Sequence, residues 1–215
     1  MIVEVDDVHR TFGGREVVAG ISLAIAEAES VALMGPSGCG KTTLLQMVGL
    51  LDRPDRGVVR MGSLDTWAQS QGVRAELRLS RIGFVFQHSN LLGHLTAREN
   101  VALPAWRAGG NRAAALVRAD ELLDKVGLSA RRDGKASELS IGEAQRVAVI
   151  RAMVNRPRLI LADEPTGSLD ANSTAAVLAL LLAAEGAAVL IVTHDPEVAA
   201  QASRTLRMRD GKLAS

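Results

Sequence analysis

Short unbroken runs of apolar residues, each ending abruptly in polar ones, punctuate this chain at positions 31–34, 82–86, 159–162 and 187–192. A strand with one wet face alternates apolar and polar side chains, whereas a run without alternation marks a parallel strand covered on both faces. Elsewhere the pattern changes. Residues 2–5 read as a strand, Gly13-Gly14 as a turn, and the half-alternating segment 17–25 as an antiparallel partner. Turn formers crowd 49–57 ahead of a short strand at 58–61, and 66–80 reads as a surface helix or loop. Between the second and third runs, segment 113–126 carries apolar residues at Leu116, Val117, Leu122, Leu123 and Val126 and stops at Gly127, a helical pattern. Asp210-Gly211 predicts a closing hairpin. The expected fold is α/β and a single domain over 1–215. A core with a mainly parallel sheet comes from 1–87 and 156–215, with an N-terminal antiparallel β sheet, and a helical lobe is inserted at about 88–155.

The polar residues that end the four runs give this pattern its chemical meaning, because ligands of open α/β sheets bind at the carboxyl ends of the strands. The first run leads into Gly35-Pro36-Ser37-Gly38-Cys39-Gly40-Lys41-Thr42, followed by Thr43. This fits G-x-x-x-x-G-K-[ST] at every fixed position, and a strand before it and a helix start after it supply the required context. Gly35, Gly38 and Gly40 let several N–H groups converge on one concavity, where a helix N-terminus adds its positive end. Lys41 is placed to reach the β- and γ-phosphates of a triphosphate, and the Thr42 hydroxyl to ligate Mg²⁺. The core is therefore expected to be of the phosphate-loop NTPase class. The third run ends in Asp163-Glu164, with Asp163 a second Mg²⁺ anchor and Glu164 a general base for an attacking water, a contribution of ~10²–10⁴-fold. The second ends in Gln87, whose amide suits Mg²⁺ or water, and the fourth in Thr193-His194-Asp195, where His194 can bond a γ-phosphate.

Charge and composition narrow the field. Lys and Arg total 25 against 24 Asp and Glu, which gives no support to nucleic acid as the main partner. The one cysteine, Cys39, excludes an internal disulfide and lies inside the phosphate loop. The longest apolar run, 175–184, is ten residues, against the ~20 a helix needs to cross a bilayer. With no basic leader after Met1, a soluble intracellular chain is expected. Aromatic residues are few, and Phe12 beside the Gly13-Gly14 turn is open to two readings: a ring stacked on a purine, or one packed into the sheet. Ser140 and Glu143 form a capping box for a helix carrying Val147, Ile150, Arg151 and Val154, and that exposed N-terminus is also suited to an anion.

With these residues in hand, the chain resembles the nucleotide-binding subunit of an ATP-binding cassette (ABC) transporter along nearly its entire length. Leu139-Ser140-Ile141-Gly142-Glu143-Ala144-Gln145-Arg146 is similar to the LSGGQ-x-QR signature of that family. Gln87 falls at its Q-loop, Ser168-Leu169-Asp170 at its D-loop, His194 at its switch histidine and Phe12 at its adenine-stacking loop. The resemblance implies a homodimer that sandwiches two ATP molecules, with Ser140 and Gly142 of one subunit on the γ-phosphate held by Lys41 of the other. Asp170 joins the nucleotide contacts on the same ground. Segments 49–54, 82–92 and 95–104 resemble the lipoprotein-release and macrolide-exporter branch. That branch implies a separate membrane permease, touching residues near 88–104, and a cytoplasmic chain peripheral on the inner face of the membrane. Two departures stand out. Ile141 replaces a glycine, where a β-branched side chain hinders close approach to phosphate, and Ala28 replaces a turn glycine, which costs stability if φ must be positive.

Two functions from different classes follow. The first is a transport ATPase in which hydrolysis drives the permease. The second is an ATP-gated regulatory clamp on a membrane partner with slow hydrolysis, which Ile141 favours. A DNA-repair ATPase of the same family is disfavoured by the near-neutral charge and the lack of a coiled-coil or zinc insertion.

Overall fold

The computed structural model describes residues 1–184 and 186–214, so Glu185 and the last residue of the expected core, Ser215, lie outside the described residues. The N-terminal sheet is antiparallel and four-stranded, ordered β2-β1-β4-β5, from β1 (Val3–Phe12), β2 (Arg15–Ile25), β4 (Arg56–Met61) and β5 (Leu64–Asp65). β1 runs well past the expected residues 2–5. Its second half is polar and carries register shifts between Val5 and Val8, and again before Thr11, yet it stays in the sheet because β2 and β4 pair with it on both sides.

The second sheet is six-stranded, ordered β10-β9-β3-β8-β7-β6. The four apolar runs are its parallel strands β3 (Ser30–Met34), β6 (Ile82–Val85), β7 (Leu159–Asp163) and β8 (Ala188–Thr193). The expected C-terminal hairpin is present as β9 (Arg204–Arg209) and β10 (Lys212–Ala214), and β9 also pairs in parallel with β3. Its alternating sequence concealed that role, because near the sheet edge one face stays wet.

Helix α1 (Lys41–Val48) lies between the sheets and buries Leu44, Leu45, Met47 and Val48, each worth roughly 1.5–3 kcal/mol when fully buried. A second cluster covers the opposite face of the parallel sheet with Val177, Leu178 and Leu181 of α6 (Ala171–Leu182). Helix α2 (Gln71–Arg81), capped by Ser70, has no buried residue and makes 71–80 of the expected helix or loop a surface helix, while Thr66 ahead of it is buried. Helices α3 (Ala97–Arg107), α4 (Arg112–Lys125) and α5 (Ile141–Met153) enclose a third cluster of their own around Val101, Ala119, Leu123 and Val147. A one-turn helix, α7 (Pro196–Ala199), follows β8. Ala28 does occupy positive φ, at 56°, the conformation in which a glycine costs less.

Candidate nucleotide site

The phosphate loop leaves β3 and enters α1, and its geometry follows from what crowds it. A Cβ on Gly35 would lie 2.2 Å from the Met208 carbonyl oxygen, and one on Gly40 2.3 Å from that of Val17, so only glycine fits. The hairpin behind the loop supports it, since Gly211 donates its N–H to the Cys39 carbonyl at 3.2 Å and accepts from Ala19 at 2.8 Å. Pro36, Ser37 and Gly38 are exposed on the loop crest, and Cys39 is buried beneath it.

Helix α1 differs from the other six α-helices among the described residues in how it begins. Ser70, Thr96, Asn111, Ser140, Asp170 and Asp195 each cap their own helix with a side chain, whereas Gly40, at φ 105°, offers α1 none. Its first turn holds no acid and begins with a lysine, a placement opposed by the helix dipole. Such an end is suited to a bound anion. Lys41 is 7% exposed, and its ammonium donates to the carbonyls of Gly35 at 2.7 Å and Pro36 at 3.1 Å. Thr43 follows in the same turn, half-buried.

The Thr42 hydroxyl donates to the Asp163 carboxylate at 3.2 Å, which brings together two oxygen donors from segments 121 residues apart. Burial pushes the Asp163 carboxyl up, and Glu164 adds to this, while Thr42 and Lys41 act the other way. Among the described residues no group of three or more His, Cys, Asp or Glu side chains forms a metal cluster. A hydroxyl and one carboxylate are instead the hard, sparse donor set that suits Mg²⁺ carried in with phosphate.

Glu164 departs from the β7 direction at φ 47°, uncommon for a residue with a side chain, while its N–H still extends the ladder to the Val192 carbonyl at 2.9 Å. The turn brings its carboxylate onto His194, with Oε1 and Nδ1 2.9 Å apart. Glu164 is largely covered, and His194 is 68% exposed. Gln87 lies over the same turn: a Cβ on Gly167 would meet its Nε2 at 3.3 Å. The structure thus brings 35–43, Gln87, Asp163, Glu164 and His194 to one crest.

It does not bring Ser140, Gly142 or Asp170 there within this chain. No hydrogen bond among the described residues joins them to the phosphate loop. Ser140 and Glu143 close their capping box at the exposed start of α5, and Asp170 caps α6 through Ser173. The two helix starts meet, since a Cβ on Gly142 would lie 2.7 Å from the Ser173 hydroxyl. Ile141 is 66% exposed on the same surface. Phe12 ends β1 at 47% exposure, so the reading in which it packs into the sheet is set aside.

Two residues of α5 went unassigned in the sequence. Gln145 is buried, and its amide donates at 2.9 Å to the carbonyls of both Phe86 and Pro165, which tether the segments bearing Gln87 and Glu164. Arg151 donates to the carbonyls of Ser89 and Asn90 at 2.8 and 2.7 Å. A polar side chain inside an otherwise apolar helix face was the available signal. Beside Arg151 runs a groove of about 850 Å³ between α2, β6, α3 and α5, with Phe84, Phe86, Pro104 and Trp106 in its walls.

An uncapped helix behind a glycine loop, a buried lysine and a carboxylate at the next strand but one define a phosphate-loop nucleotide-binding protein. A profile described as ABC transporter matches residues 18–167. The lipoprotein-releasing system ATP-binding protein LolD of Porphyromonas gingivalis is 47% identical, with 100% of each chain covered. That named LolD 1 in Rhodospirillum rubrum is also 47% identical, over 99% of this chain and 97% of its own. The macrolide export ATP-binding/permease protein MacB of Escherichia coli K12 is 44% identical over 99% of this chain but only 34% of its own length. A solved dimeric ATP-binding cassette in a post-hydrolysis state, bound to ADP and Pi, superposes with a TM-score of 0.90 at 35% identity, covering 99% and 97% of the two chains. The chain belongs to the ABC transporter family, as an ATP-binding subunit.

Proposed function

We propose that this chain hydrolyses ATP as a homodimer and thereby drives a separate membrane permease in envelope-related export of the lipoprotein-releasing type. The observation that carries the reading is the juxtaposition of an uncapped α1 over Lys41 with the Thr42–Asp163 and Glu164–His194 pairs. Backbone N–H groups of 35–43 and the Lys41 ammonium hold the phosphates. Thr42, Asp163 and Gln87 would hold Mg²⁺, which would neutralise phosphate charge. Glu164 takes a proton from the attacking water, and His194 holds that carboxylate in place through Nδ1. Phe12 stacks on the adenine, and Ser140, Gly142 and Asp170, which face outward here, reach the nucleotide of the second copy.

No helix of the described residues is long and apolar enough to cross a membrane, which fits a peripheral subunit at the inner face. The 850 Å³ groove, to which Asn90 and Pro104 of the expected contact region contribute, offers the permease an apolar seat. Glu164→Gln tests the hydrolytic reading: turnover is expected to fall by about 10²-fold or more, with an ATP-bound dimer accumulating on size exclusion. Unchanged turnover would remove Glu164 from the mechanism.

Ile141 supports a second reading, an ATP-gated clamp with slow hydrolysis, because its exposed β-branched side chain sits where the two copies would close. Stimulation of turnover by the permease separates the two, since a motor is accelerated by its load-bearing partner and a clamp is not.

A further inference from the structure

Against Phe12 stands a cation that the phosphate chemistry proposed above does not use. Arg10 lies with its Cζ 4.7 Å from the centre of the Phe12 ring. Its guanidinium is fixed from the other side. Nε and NH2 donate to the two Asp52 carboxylate oxygens at 2.8 and 2.7 Å, and NH1 donates to Asp55 at 2.6 Å. Asp55 also accepts from the Thr11 N–H at 2.7 Å and donates its own N–H to the His9 carbonyl at 2.8 Å. Asp52 in turn lies four residues beyond the end of α1 and is tied to that helix by its N–H on the Gln46 carbonyl at 3.2 Å.

Phe12 is 47% exposed and is followed by two glycines at φ 55° and 80°, which contribute no side chains to hold its ring. A planar guanidinium held by a bidentate carboxylate is the group best suited to do so, because it stacks on an aromatic face while its edge stays bonded. With one face of Phe12 occupied by Arg10, only the opposite face is free for a base. The cation also draws ring electron density toward itself, which favours stacking of an electron-rich purine on the far side.

We propose that Arg10, clamped by Asp52 and Asp55, is the positioning residue for base recognition: it orders Phe12 and ties the base platform to the helix that carries the phosphate loop. The inference rests on the reading of Phe12 as the adenine-stacking residue. Two probes separate the parts of the site, MgATP and magnesium tripolyphosphate, which has no base. Their affinities for the full chain are measured by calorimetry for wild type, Phe12→Ala, Arg10→Gln, Arg10→Lys, Asp52→Asn and the double variant Phe12→Ala/Arg10→Gln.

Phe12→Ala is expected to weaken MgATP by about tenfold, as loss of one base–aromatic stack does. Arg10→Gln is expected to weaken MgATP several-fold with tripolyphosphate unchanged, and to add nothing in the double variant, since both changes remove one unit. Arg10→Lys, which keeps the charge but loses the planar fork, recovers only part of the affinity. Asp52→Asn repeats the direction of Arg10→Gln with the arginine intact, and so decides the matter should Arg10→Gln fold poorly. Equal losses for both ligands would overturn the inference and leave Arg10 a structural tie to α1. Unaltered MgATP affinity in Arg10→Gln and Asp52→Asn, with Phe12→Ala weakened, overturns the positioning role alone. Unaltered affinity in Phe12→Ala overturns the stacking reading and the inference with it.

Discussion

Asp163 illustrates how one residue can work against the fold for the sake of the site. Its carboxyl is pushed up from the ordinary 3.8 chiefly by burial, so the folded chain binds that proton more tightly than the unfolded chain does. The associated stability is complete below 3.8 and is lost as pH rises through the folded value. Ionising Asp163 in the fold therefore carries a desolvation cost, which Mg²⁺ would compensate. Asp163→Asn is expected to raise the melting temperature of the nucleotide-free chain at pH 7, with the gain shrinking toward pH 3.8, while Mg²⁺-dependent stabilisation by ATP disappears. Parallel melting curves of the two proteins at several pH values, with and without MgATP, check both halves. The identities of Asp163, Glu164 and Lys41 were legible in the sequence because each sits at a fixed offset from an apolar run. That Glu164 turns through positive φ onto His194 was not, because backbone conformation at a strand end is imposed by the neighbouring strand.

At the scale of elements, helix α5 carries more than its exposed N-terminus suggests. Its periodicity marked Val147, Ile150 and Val154 as core-facing, yet the same helix uses Gln145 to hold the carbonyls after β6 and β7 and Arg151 to hold the segment after Gln87. Helix α5, which lines the groove, is thus hydrogen-bonded to the segments bearing Gln87 and Glu164. Gln145→Met keeps the volume and removes both donors. It is expected to cost about 2 kcal/mol, since a buried and a partly buried carbonyl lose a partner, and to lower turnover without changing tripolyphosphate affinity. Urea unfolding and steady-state kinetics measure the two effects. Sequence periodicity could not reveal this role, because it reports which face of a helix is buried and not which distant backbone that face meets.

For the molecule as a whole, the crest is complete in its phosphate loop and carboxylates, whereas the α5 and α6 starts face outward as a separate surface. Ile141 is 66% exposed in the single chain, on the surface that the proposed closure of two copies would cover. Ile141→Gly is expected to leave MgATP affinity of the monomer within about twofold, because the side chain is mostly in solvent and has no hydrogen bond to the phosphate loop, and to raise turnover several-fold through closer approach to the second copy's phosphate. Kinetics as a function of protein concentration distinguish this from a change within one chain. A rise in turnover that is independent of concentration would place the effect of Ile141 inside the monomer.

The sequence by itself determined the parallel core, the phosphate loop and the order of the polar strand ends, because unalternating runs and a glycine loop are local patterns with few physical solutions. It also showed the helical stretch between residues 88 and 155 and the capping box at Ser140. Only the tertiary structure decided the contacts that join those patterns: β9 as a fifth parallel strand, Gly211 beneath Cys39, Gln145 between two strand ends, and Arg10 behind Phe12. Each depends on groups far apart in the chain, often backbone carbonyls whose accepting capacity is the same at every residue, and so leaves no mark in composition or spacing.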